Sequence, residues 1–102
     1  MKVPKKMKMF GDDWKIIIYK DKNKDAGGEF SFSKKEIKIN NRFGEIEQIL
    51  CHEILEAVLM NNYCRFYGQE GNMEYVFYFD HTRFTIVVKQ FAEILKENKL
   101  LT

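Results

Sequence analysis

Two repeats alternate along this chain, one of two residues and one between three and four, and the switches between them outline its elements. Lys6 to Phe10 reads as a short extended segment, closed by the turn-type cluster Gly11-Asp12-Asp13. Trp14 to Lys20 follows, where Ile16, Ile17, Ile18 and Tyr19 supply the β-branched and aromatic residues of a strand. Asp21 to Gly28 is polar and ends in glycine, hence a loop. Glu29 to Phe32 and Lys35 to Asn40 alternate apolar with polar around Ser33-Lys34, the pattern of a hairpin. From about Arg42 to Asn61 the period lengthens. Phe43, Ile46, Leu50, Ile54, Ala57 and Val58 stand three or four apart and form one apolar helical face. Tyr63 to Tyr67 and Met73 to Phe79, around Gly68-Gln69-Glu70-Gly71-Asn72, predict a second hairpin with Met73, Tyr75, Phe77 and Phe79 on one side. Asp80 is placed to cap a last helix from about His81 to Asn98, striped by Phe84, Val87, Val88, Phe91 and Leu95. Strands, helix, hairpin and helix in that order make an α+β domain.

Composition narrows the setting. At 102 residues the chain is expected to be a single domain, 1–102. Its 45% hydrophobic and 31% charged residues are those of an ordinary globular protein, which argues against wholesale disorder. No apolar run approaches the roughly 20 residues that span a bilayer. Met1 to Met9 carries lysines with no apolar segment behind them, so no secretory signal is expected and the expected location is cytoplasmic. A net charge of +2 argues against a dedicated nucleic-acid binder. Lys2, Lys5, Lys6 and Lys8 read as a solvated terminus, and Tyr75, Phe77 and Phe79 as core rather than a base-stacking surface. Two cysteines are too few for a disulfide scaffold. Cys51 and Cys64 are each read as a small buried hydrophobe.

The candidate chemistry lies on the first long helix, in Cys51-His52-Glu53-Ile54-Leu55-Glu56. At about 100° per residue, His52 and Glu56 fall together on the face opposite Phe43, Leu50 and Ile54. Ile49 and Leu59 flank them, so that second face is expected to be buried too, and buried ionisable groups need partners. His81 has the helical phase of Phe84 and Val88 and is expected to point inward. Two imidazoles and a carboxylate, His52, Glu56 and His81, make a zinc ligand set that leaves a position for water. Glu53, beside the first ligand, stands where a general base for that water would be. The plain alternative is a buried His–Glu network without metal. Joint ligation by Cys51 is sterically awkward at its angle from His52.

The stretch Ile49-Leu50-Cys51-His52-Glu53-Ile54-Leu55-Glu56-Ala57-Val58, preceded by Gly28-Glu29-Phe30 and Ile37-Lys38-Ile39-Asn40 and closed by Phe91 to Asn98, resembles the minimal gluzincin-like metallopeptidases. These are small zincin-fold proteins of phages and mobile elements. Their pattern is a few strands, a helix with His-Glu-x-x-His and a second helix bearing the third ligand. The likeness runs from about Trp14 to Asn98, and only the helix motif is chemically specific. It implies His52 as ligand and Glu53 as base. Glu56 stands where the family has its second His, a His-Glu-x-x-Glu variant, and some short relatives use Glu there with a His before the last helix, a pattern that Asp80-His81 would suit. Glu93 reads as solvated, although relatives exist with a Glu ligand on this helix. The resemblance implies a zincin-like sheet of antiparallel or mixed strands with two packed helices. It also implies a zinc-dependent peptidase, with manganese or iron as alternative metals because of the carboxylate. The alternative function is a non-catalytic zincin-like binding module of phage or prophage with a structural or degenerate site. Expected partners are a peptide or protein substrate and no membrane. So short a chain has little room for specificity pockets, which leaves open a homo-oligomer that completes the cleft.

Overall fold

Lys6–Met9 (β1) and Asp12–Tyr19 (β2) pair antiparallel, and β2 starts two residues before the strand expected at Trp14. The turn is Phe10-Gly11, with φ of 53° and 81°, the left-handed pair that a tight hairpin requires. Asp12 and Asp13, expected in that turn, belong to β2, and cations lie close to both. Lys6 and Lys8 lie 3.4 and 3.6 Å from the Asp13 carboxylate, and Lys35 lies 3.2 Å from Asp12. The computed structural model describes residues 2–67 and 75–100.

Gly28–Ser31 (β3) and Glu36–Asn40 (β4) form the expected hairpin, and β4 then runs parallel to β2 with Ile16 beside Ile37 and Ile18 beside Ile39. The resulting mixed sheet has the order β1-β2-β4-β3, which leaves β1 and β3 as its edges. One face carries Met7, Met9, Trp14, Ile16, Ile37 and Ile39 into the core. The chain leaves β4 through a 3-10 turn at Asn41–Phe43, and Gly44, at φ 72°, separates it from the helix Ile46–Asn61 (α1). The helix therefore starts later than its stripe, and Phe43 is half-exposed outside it. Leu50, Ile54, Ala57 and Val58 are buried against the sheet, as their spacing requires.

Arg65–Tyr67 (β5) and Tyr75–Phe77 (β6) pair antiparallel as a separate two-stranded unit. The turn expected between them, with Met73, lies outside the described residues. Phe77 and Phe79 are exposed, contrary to the expectation that they serve the core; Phe79 stacks on Phe84 instead. Asp80 caps His81–Glu97 (α2), its carboxylate accepting from the Arg83 N–H at 2.8 Å. The buried residues of α2 are Val87 and Ile94, while Phe84 and Val88 are 47% and 49% exposed. Val87, Phe91 and Leu95 of the expected stripe do pack on the core, whereas Phe84 and Val88 do not, and Val88 lines an apolar groove with Leu55 of α1. Amide side chains fasten α2: Asn98 pairs with the Lys8 backbone in both directions at 2.8 and 2.9 Å, and Asn62 donates to Gln90 at 2.8 Å. Among the described residues no helix is long and apolar enough to cross a membrane.

One buried polar side chain organises the end of the sheet nearest the site. Asn40 accepts from the Asp21 and Arg42 N–H groups at 3.1 and 3.2 Å and donates to the Asp21 carbonyl at 3.0 Å. Arg42 adds hydrogen bonds to the carbonyls of Lys22 and Lys24 at 2.7 and 2.9 Å. Together they fix the loop that delivers Gly27 and Gly28. Asn40→Ala strands buried backbone groups and is expected to cost about 2–4 kcal/mol in denaturant unfolding, whereas Asn41→Ala, at an exposed neighbour, should leave stability within about 0.5 kcal/mol.

Candidate metal centre

Helical spacing sets the geometry of the site. His52 and Glu56, one turn apart on α1, place Nε2 3.0 Å from Oε1. Glu53 Oε2 lies 4.0 Å from the same nitrogen. One ligand atom from each of His52, Glu53 and Glu56 falls within 4.8 Å of the other two. Bonds of about 2.0–2.1 Å to a tetrahedral zinc hold neighbouring ligands roughly 3.3 Å apart. His52 Nε2 and Glu56 Oε1 fit that edge with a few tenths of an ångström of movement. The more distant Glu53 oxygen fits a role beside the ion.

His52 departs from the expected burial, whereas Glu56 largely keeps to it. His52 is 64% exposed, whereas Glu53 is 7% and Glu56 20% exposed. Burial on the second face therefore falls on Glu53, not on His52, because β3 comes down on α1 at the Glu53 side. The contact depends on a missing side chain. A Cβ on Gly28 would stand 2.7 Å from Ile49 Cγ2 and 2.9 Å from Glu53 Cγ. Only a glycine lets strand and helix approach so closely. Ala26, Gly27 and Gly28 on one side, and Gln48, Ile49, His52 and Glu53 on the other, line a cleft of about 280 Å3.

Burial is the main reason that the Glu53 carboxyl is pushed up from its ordinary 4.5 to about 7, with repulsion from Glu56 next and Glu29 adding a little. His52 and Arg65 oppose the shift. Arg65, at the start of β5, lies with Nη2 3.9 Å from Glu56 Oε2. Burial, helped by the charge of Glu47, raises the Cys51 thiol and so disfavours the thiolate that a metal would need. Cys64 is buried in the core, as expected, and donates to the Asn62 carbonyl at 3.4 Å.

His81 does share the side of Phe84 and Val88, as its phase requires, but that side of α2 is exposed. It stands about 120° round the helix from Val87, which corrects the expectation that it points inward. It is not part of the His52–Glu53–Glu56 group. Two positions that shape the site carried no recognised signal. Gly28 read only as the end of a loop, although a Gly-Gly pair before an alternating run is a mark of close backbone approach. Arg65 sits in an aromatic run, where its charge was the only sign.

Two outcomes follow from the buried carboxyl in the metal-free protein. The folded state holds the Glu53 proton up to about pH 7, while the unfolded chain releases it near 4.5. Stability from this group is thus full below 4.5 and is lost as pH rises through 7. Glu53→Gln, which stays neutral, should match the parent near pH 4.5 and exceed it by on the order of 1–3 kcal/mol at pH 8, read by denaturant unfolding across pH. Gly28→Ala should lower stability by about 1–3 kcal/mol through overpacking against Ile49 and Glu53.

Comparison of the chain with protein-family models, with curated proteins and with solved structures finds no match in any of the three.

Proposed function

We propose that this protein is a zincin-like, metal-dependent hydrolase that acts on peptides, with zinc as the favoured ion and manganese or iron as alternatives. The observation that carries the reading is the cluster itself: His52 Nε2 and Glu56 Oε1 at 3.0 Å, with Glu53 Oε2 at 4.0 Å, beside an open cleft. His52 and Glu56 would hold the ion, which would supply Lewis-acid activation of water and of an amide carbonyl. Glu53 Oε2 is the group placed to take a proton from the attacking water and hand it to the departing amine nitrogen. Gly28 lies against the Glu53 side chain, which is buried, and so limits the water around the carboxyl. The edge strand β3 begins at Gly28, so an extended peptide added to that edge would run past His52 and Glu53. That edge is what favours peptides over other substrates.

The exposed position of His81, outside the group, favours a second reading: a binding module whose metal site is structural or degenerate. Titration of metal-free protein with Zn2+, followed by a peptide-cleavage screen of the loaded protein, separates the two. The parent should bind one ion, less tightly as pH falls because protons compete for the ligands. His52→Ala should weaken binding by at least about 100-fold. Glu53→Gln should bind normally yet cut hydrolysis by about 10²–10⁴-fold. Stoichiometric binding with no cleavage of any peptide would support the module. A parent that binds no ion would end the hydrolase reading and leave only a module with a degenerate site.

A further inference from the structure

The two oxygens of Glu56 face different partners, and the second partner is unusual. Oε1 meets His52 at 3.0 Å, while Oε2 lies 3.9 Å from Arg65 Nη2. The Arg65 side chain is only 8% exposed. Its guanidinium lies over the Phe30 ring of β3, 4.8 Å from the centroid, and Nη1 reaches Met60 Sδ of α1 at 3.8 Å. A planar cation held between a ring and a helix has little freedom to turn. A buried cation also needs a nearby anion, and the Glu56 carboxylate lies within ion-pair distance of it.

We propose that Arg65 is a positioning residue of the metal centre: by holding Oε2 of Glu56, it leaves Oε1 as the single oxygen that Glu56 offers to a divalent ion. The inference rests on the metal reading above and adds the mode of ligation. Chelation through both oxygens would require Glu56 to turn Oε2 away from a buried guanidinium. One-oxygen ligation keeps the coordination number low, which suits zinc and disfavours ions that collect many oxygens. The arrangement parallels the way in which groups behind a ligand commonly orient it, although here the group is a cation and the ligand an acid.

The test uses the whole protein loaded with Co2+, whose visible bands report coordination number, and with Zn2+ for infrared spectroscopy. The parent should show the intense bands of a four- or five-coordinate cobalt ion. Arg65→Met should still bind Co2+, but with bands weakened by about twofold or more as Oε2 joins the ion. Arg65→Lys keeps the charge and should restore bands close to those of the parent. Parent-like bands in a folded Arg65→Met would overturn the proposal, since a merely structural role lowers the melting temperature and leaves the spectrum alone. Should Arg65→Met fail to fold, the parent alone decides. Its Zn2+-minus-apo infrared difference, with Glu56 bands assigned by their loss in Glu56→Gln, should show the wide splitting of a one-oxygen carboxylate ligand. Narrow, chelate-type splitting would overturn the proposal while leaving the metal reading intact. A parent that binds neither ion would remove both together.

Discussion

The close approach of β3 to α1 at Gly28 is the constraint on which the rest of the site depends. Without a side chain at that position, Ile49 and Glu53 can pack directly against the strand, and the helix can lie flat enough on the sheet to bury Leu50, Ile54 and Val58. The same contact forces a carboxyl into a place with little water, which is the main reason, ahead of repulsion from Glu56, that Glu53 keeps its proton to near neutrality. Asn40 supports this contact from behind. It anchors the loop that ends at Gly27 and Gly28, and its own amide is hydrogen-bonded on both sides, so a buried polar group there stabilises the fold.

Around Glu53 the charges form a small, unevenly exposed group. Two carboxylates stand close together on one helix face, His52 lies above them toward solvent, and Arg65 lies below, under cover. Arg65 offsets part of the repulsion, and a proton on Glu53 removes more. A divalent ion between His52 and Glu56 would act in the same direction as that proton and from the exposed side, where an ion can enter.

Much of this was legible in the chain, and the failures have physical causes. The hairpin of β3 and β4 followed from strict alternation, and the buried face of α1 from its 3.6-residue stripe. The i,i+4 pair of His52 and Glu56 followed from helix geometry alone. The parallel pairing of β2 with β4 did not, because alternation says which face a residue takes and not which neighbour it finds. One flank of the last helix, with Phe84, Val88 and His81, was misjudged for a related reason. Apolar residues cover more than half of its circumference, so spacing could not choose between the Val87–Ile94 side and the Phe84–Val88 side, and His81 followed the wrong one. Gly28 and Arg65 act across elements, through a strand pressing on a helix and a cation reaching under one. A pattern read along the chain carries no such information.

The central claim is that His52 and Glu56 hold a divalent ion with Glu53 beside it. Zinc K-edge X-ray absorption of the zinc-loaded protein tests it most directly. The account predicts a first shell of nitrogen and oxygen only, near 2.0–2.1 Å, with the outer-shell signature of one imidazole ring. A sulfur shell near 2.3 Å would place Cys51 at the metal, and a two-ring signature would place His81 there. Either result, or protein that retains no zinc at all, would contradict it.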